Sequence, residues 1–373
     1  MSRKRPISLE TKKIPTVIVG VFSPRTQTTN PEYYFEEFLS LVKTLGMEYD
    51  HTHFIKLRQI DNNLYLTKGK LHDLVEFCNE NNIEQVVFSE ILTSVQERNL
   101  EEVLGCEVFD RERIILEIFK KAAHTSEGKV QVEMAELEYL KTRLIGKGRE
   151  FAQQAGVIGT RGPGETYKEI MRRHIEETLR QARKRLVTLE KSRDVQRKRR
   201  LDRRVPLVCL VGYTNAGKSS ILNALTKSNV LAEDKLFATL DTTTRELYLG
   251  GHDKKVLISD TVGFISQLPH NLVASFKSTL AELSYSNVLL HVIDISNPAW
   301  KNQISVVNQT LAELGVDKPI IHLFNKIDKL STDEQEKVKP ELEVYQPYII
   351  THATSKQGVA PLLELLTGYD FKG

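Results

Sequence analysis

Gly212-Tyr213-Thr214-Asn215-Ala216-Gly217-Lys218-Ser219 follows the apolar run Pro206-Leu207-Val208-Cys209-Leu210-Val211 and precedes Ser220-Ile221-Leu222-Asn223-Ala224-Leu225. The order is strand, glycine-bounded loop, helix, with the spacing Gly-x-x-x-x-Gly-Lys-Ser of a phosphate-binding loop. The glycines let the backbone curl so that successive N–H groups face an anion. The unpaired N–H groups and dipole at the start of the next helix add to that field. In such a loop Lys218 reaches the β- and γ-phosphates and Ser219 ligates Mg²⁺.

Further along lie two stretches that a nucleotide site needs. Lys254–Asp260 reads as a strand ending on an acid, and Asp260-Thr261-Val262-Gly263 forms an Asp-x-x-Gly. Its aspartate suits Mg²⁺ through water and its glycine N–H suits a γ-phosphate. Pro319–Phe324 reads as a buried strand that delivers Asn325-Lys326-Ile327-Asp328. A carboxylate at Asp328 can accept from both N1–H and the exocyclic N2 of guanine, a donor pair that adenine lacks. Between loop and acid, Phe237-Ala238-Thr239-Leu240-Asp241-Thr242-Thr243-Thr244 offers several threonines whose hydroxyl could join Mg²⁺ while the γ-phosphate is present. Local chemistry does not choose among them.

Upstream, apolar β-branched runs (Thr16–Phe22, Val86–Phe88) alternate with helical stripes such as Phe35, Phe38, Leu39, Leu41 and Val42. That alternation predicts a small parallel α/β domain, with Pro31 opening its first helix and Thr93 capping a later one. A further strand is expected near Glu48–Leu57. From Val130 the stripe Val130, Met134, Leu137, Leu140, Leu144 predicts a helix. Gly159-Thr160-Arg161-Gly162-Pro163-Gly164-Glu165 breaks it. Met171, Ile175, Leu179, Ala182, Leu186 and Leu189 then recur at three- and four-residue spacing, close to a coiled-coil seam. Two such stripes joined by a loop predict a long antiparallel helical hairpin.

The whole chain carries a net charge of only +3, but Lys168–Arg204 holds 15 Lys and Arg against 6 Asp and Glu, a local excess of +9. A basic arm on a mildly acidic body points to a polyanionic partner. Arg197, Lys198, Arg199 and Arg200 lie beyond the end of the apolar seam and are the candidate RNA contacts. Cys78, Cys106 and Cys209 are odd in number and far apart, which predicts reduced, buried thiols. No apolar run approaches the roughly 20 residues that span a bilayer. A cytoplasmic, monomeric protein is expected.

Taken together, Gly212–Ser219, Phe237–Asp241, Asp260-Thr261-Val262-Gly263-Phe264, Asn325–Asp328, Gly159–Glu165 and Gln131-Val132-Glu133-Met134-Ala135 resemble the HflX family of translation-factor-type GTPases. The resemblance spans nearly the whole chain. It implies Thr239 as the switch threonine for Mg²⁺, GTP and GDP as ligands, and association with the large ribosomal subunit and its RNA to split or rescue stalled ribosomes under stress. It also implies that His352-Ala353-Thr354 replaces a Ser-Ala pair over the guanine, with the Ala353 N–H facing O6. Some relatives carry a further C-terminal domain, and none is expected after Gly373.

The expected organisation is α/β. It comprises an N-terminal parallel α/β domain (1–125), a helical hairpin with a basic second helix (126–204) and a C-terminal P-loop GTPase domain with a mostly parallel sheet (205–373). Where many GTPases place a water-orienting glutamine after Asp-x-x-Gly, this chain has Phe264, so slow intrinsic turnover is expected and no catalytic residue is assigned. The rival readings are an ATP-using P-loop enzyme, which Asn325–Asp328 disfavours, a GTP-dependent RNA-binding module with little turnover, and an RNA-binding arm regulated by nucleotide.

Overall fold

The computed structural model describes residues 14–24, 26, 30–144, 167–202, 205–226, 235–250, 254–269, 272, 280 and 282–371; the side chains of 167–168 and 192–202 are excepted. Gly159–Glu165 and the side chains of Arg197–Arg200 therefore lie outside the described residues. The chain divides into two compact units, Met1–Ile115 and Leu116–Gly373.

The first unit is a parallel sheet of order β2-β1-β3-β4, built from β1 (Thr16–Phe22), β2 (His51–Lys56), β3 (Gln85–Phe88) and β4 (Glu107–Phe109). Val17, Ile18, Val19 and Val21 are buried because helices cover both faces of such a sheet. Helix α1 (Pro31–Leu45) starts with Asn30 accepting from the Tyr33 N–H and stops at Gly46, whose φ of 76° closes the last turn. Helices α2 (Lys68–Glu80) and α3 (Ser94–Leu104) follow, the latter opened by a capping box of Thr93 and Gln96. Strand β2 is shorter than its apolar signal, since residues 48–50 stand outside the ladder. Arg111, at the start of α4 (Arg111–Ala122), is fully buried, with its Nη2 2.7 Å from Glu37 and its guanidinium over the Tyr34 ring.

The second unit opens with the end of α4 and continues into a helical hairpin, α5 (Ser126–Leu144) and α6 (Tyr167–Asp202). The pairs Glu133–Arg185, Glu138–Arg183 and Lys141–Glu176 run in opposite directions along the two helices, which makes the pairing antiparallel. Ile175, Leu179 and Ala182 are buried as their spacing predicts. On α5 the buried face is Val130, Val132, Ala135 and Tyr139, while Leu140 is 49% exposed. The difference has a physical cause. Tyr139 takes the place of an aliphatic residue in the seam, and the Arg143 guanidinium lies 4.5 Å from its ring centroid.

A six-stranded sheet of order β10-β9-β8-β5-β7-β6 completes the unit. Its members are β5 (Leu207–Gly212), β6 (Thr243–Leu249), β7 (Lys254–Asp260), β8 (Val288–Asp294), β9 (Ile320–Asn325) and β10 (Tyr348–Ile350). All neighbours pair parallel except β6, which runs antiparallel to β7 at one edge. Helices α7 (Lys218–Thr226), α8 (Trp300–Glu313), α9 (Thr332–Leu342) and α10 (Ala360–Gly368) complete its α/β layering. The registers Leu210↔Asp260, Gly212↔Val292, Asp294↔Asn325 and Ile350↔Phe324 bring the carboxyl ends of five strands to one rim. In open parallel sheets that rim is where ligands bind.

Candidate nucleotide site

The phosphate-binding loop leaves β5 at Gly212 and enters α7 at Lys218. Gly212 has φ 153° and Gly217 φ 97°, both in the left-handed half of the map, which favours glycine. A Cβ on Gly212 would strike the Val292 carbonyl, and one on Gly217 the Asn325 amide. Asn215 also adopts φ 61°, a region that asparagine tolerates. Lys218 is 6% exposed and folds back over the loop, donating to the Tyr213 carbonyl at 2.8 Å and the Gly212 carbonyl at 3.2 Å. Burial pushes its ammonium down to about 8, Lys326 pushes the same way, and Asp260 opposes them.

Asp260 ends β7 completely buried, and burial raises its carboxyl against the opposing pull of Lys218. Ser219 donates to its Oδ2 at 2.6 Å, and the Ser219 Oγ lies 2.7 Å from Thr239 Oγ1. The Thr239 hydroxyl also hydrogen-bonds the Asp260 carboxylate, which works with Ser219 against the rise that burial imposes. The Asp260 Oδ1 is buried without a hydrogen-bond partner. Three hard oxygen donors and an unsatisfied carboxylate oxygen fit a divalent cation such as Mg²⁺. When bound, such a cation neutralises charge on the β- and γ-phosphates.

Of the competing threonines, Thr243 and Thr244 lie in β6, paired with Asp260 and Ser259 of β7. The Asp-x-x-Gly turn is tied to the phosphate loop by the backbone: Phe264 N–H donates to the Gly212 carbonyl at 3.1 Å, and Thr214 N–H to the Phe264 carbonyl at 2.8 Å. Gly263 sits so close that a Cβ would lie 2.8 Å from Thr214 Cα and 3.0 Å from Lys218 Nζ. Thr261 donates inward to the Leu210 carbonyl at 2.7 Å, and Val262 is buried. Phe264 is 1% exposed. It is packed, not aimed at an incoming water.

At the base end, the Asn325 side chain donates to the Ala216 carbonyl at 2.9 Å, bracing the loop from the end of β9, two strands away from β5. Lys326, at φ 63°, reaches the Asn215 carbonyl at 2.7 Å and pairs with Asp294 at 2.7 Å. Asp328 projects into solvent in the short 3-10 turn that begins at Ile327, open to a base. Strand β10 ends beside β9, so His352-Ala353-Thr354 follows at the same rim, with His352 Nδ1 2.8 Å from Thr354 Oγ1. Phe237, Ala238 and Thr239 line the phosphate cleft together with Lys235, a residue that motif spacing alone does not single out. Leu240 is buried, and the Asp241 carboxylate turns away to accept from His124 N–H at 2.9 Å and Thr125 N–H at 2.8 Å.

Three family models tile the chain: a GTP-binding GTPase N-terminal region over residues 32–120, a GTP-binding GTPase middle region over 122–200, and a 50S ribosome-binding GTPase over 207–326. The GTPase HflX of Caldanaerobacter subterraneus subsp. tengcongensis is 42% identical over 357 residues, 95% of this chain and 80% of that protein. This chain belongs to the HflX family of GTPases. The HflX protein of Escherichia coli K12 is 39% identical over 333 residues, 89% of this chain and 78% of its own. Among solved structures, a GTP-binding protein from Sulfolobus solfataricus in complex with GDP is similar at 24% identity and TM-score 0.46, covering 95% of this chain and 100% of its own. Like its HflX relatives, the protein binds GTP and hydrolyses it to GDP and phosphate. None of its described helices is long and apolar enough to cross a membrane.

Proposed function

We propose that this HflX-family GTPase works in the cytoplasm as a monomer on the large ribosomal subunit, splitting or rescuing stalled ribosomes under stress. In this reading GTP lies along 212–219 and 260–263, its guanine is read by 325–328 with 352–354 above it, and Mg²⁺ is held by Ser219 and Thr239. The observation that carries the reading is the second hairpin helix, which continues to Asp202 within a segment holding 15 Lys and Arg against 6 Asp and Glu. Nothing in a GTPase cycle needs such a helix, whereas ribosomal RNA offers the polyanion it matches. The name of the matching GTPase family model, which speaks of binding the 50S ribosome, agrees. Intrinsic turnover is slow, because Phe264 packs in the position where other GTPases orient the attacking water.

The test is a variant with Arg197, Lys198, Arg199 and Arg200 neutralised together. Pelleting with large subunits over a salt series should show weaker binding and a salt slope flatter by roughly three units. Its affinity for GTP should equal that of the wild type. Wild-type binding with an unchanged slope would reduce the arm to a solvated linker.

A further inference from the structure

The loop that carries Thr239 is fastened at three points, and two of them belong to the helical segment before the GTPase sheet. Upstream, Phe237 is buried against Phe119 of α4, ring centroids 4.6 Å apart and edge to face. At the centre, Thr239 Oγ1 meets Ser219 Oγ at 2.7 Å. Downstream, the Asp241 carboxylate sits on the start of α5: Oδ2 accepts from the backbone N–H groups of His124 and Thr125, and Oδ1 from Thr125 Oγ1 at 2.5 Å. Thr125 itself caps the helix, its Oγ1 accepting from Gly128 N–H at 3.0 Å. The first turn of α5 is shaped for this guest, because a Cβ on Gly128 would strike Asp241 Oδ1. A glycine in the first turn costs helix stability relative to alanine. Here its missing side chain is the space that the carboxylate fills.

We propose that Asp241 is a positioning residue. Docked on the first turn of the hairpin, it holds Thr239 at the metal side of the phosphate loop, so that the hairpin and the GTP-bound form of this loop are coupled. The argument is geometric. Asp241 lies two residues after Thr239, so a loop released from α5 cannot hold the threonine hydroxyl over Ser219 with the same precision. Charge-assisted bonds to unpaired N–H groups beside a helix N-terminus are strong and directional. By linkage, whatever steadies the hairpin then favours GTP over GDP, and the reverse. The inference rests on the reading of Thr239 as the threonine that joins the metal.

Equilibrium titrations of the full chain with fluorescent GDPNP and GDP, each over a Mg²⁺ series, test it. Thr239→Ala tests the underlying reading: if it leaves the GDPNP-to-GDP affinity ratio unchanged, Thr239 is not the metal threonine. Given a loss there, Asp241→Asn, which keeps shape but not charge, should lower that ratio by about fivefold or more. It should also raise the Mg²⁺ midpoint for GDPNP and leave GDP affinity within about twofold. Gly128→Ala should reproduce the effect although alanine is the better helix former. A contact that serves only folding would leave both ratio and midpoint unmoved. Combining the two substitutions should add little to either alone, since both remove one contact. An unchanged ratio in folded Asp241→Asn, or full additivity in the double variant, overturns the proposal.

Discussion

Lowering the pH should destabilise the second unit through one buried imidazole. His291 lies in mid-strand β8, opposite His322 in register and with ring centroids 5.5 Å apart. It is 1% exposed, and its Nδ1 has no hydrogen-bond partner. Burial, then His322, then Lys218 drive its pKa from 6.5 down to about 3. Below pH 6.5 the unfolded chain takes up a proton that the folded chain refuses until about pH 3. Stability is therefore whole above pH 6.5 and falls with each unit below it, by about 1.4 kcal/mol per unit. At pH 4.5 the loss from this residue is about 2.7 kcal/mol, a sizeable part of a domain's usual margin. Burial also lowers His322, which adds in the same direction. The chain has one tryptophan, Trp300, buried against Phe324 at 5.6 Å, so its fluorescence reports unfolding of this sheet. Urea unfolding of wild type and His291→Leu at pH 7, 5.5 and 4.5 isolates the term, because acid-sensitive carboxylates are common to both proteins. The leucine variant should lose about 2.5 kcal/mol less between pH 7 and 4.5. Equal pH slopes in the two proteins would refute the reasoning.

Asp328→Asn should weaken GTP by a factor of roughly 30 to 1,000 and shift preference toward xanthosine nucleotides, whose extra carbonyl suits an amide donor. Competition titrations read this directly. Glu37→Ala removes the 2.7 Å carboxylate partner of the fully buried Arg111, and should destabilise the first unit by about 3 kcal/mol in denaturant unfolding followed by circular dichroism. Phe264→Gln should not accelerate GTP hydrolysis, because that side chain is 1% exposed and packed rather than aimed at a γ-phosphate; a single-turnover assay decides it.

The buried strands were legible because a parallel sheet covered on both faces demands unbroken apolar runs, as in Val17–Val21 and Leu207–Val211. The phosphate loop was legible because its glycines answer a local backbone need. Strand β6 was not read from the sequence. It is an edge strand in which only Leu247 and Leu249 point inward, so Thr243-Thr244-Arg245-Glu246 looks like loop. The buried face of α5 was misplaced by counting aliphatic residues alone, when Tyr139 and Ala135 fill the seam. Asp241 falls within the stretch expected to touch nucleotide, yet its partners His124 and Thr125 lie 117 and 116 residues away in sequence. A contact of that range leaves no local pattern.

The proposal that this GTPase works on the large ribosomal subunit, attaching in its GTP-bound form, is tested by sedimenting the protein with purified subunits in GDP, in a non-hydrolysable GTP analogue and without nucleotide. The account predicts that the chain pellets with large subunits in the GTP analogue and stays mostly in the supernatant with GDP. Equal pelleting in all three conditions, or none with large subunits in the analogue, would contradict it.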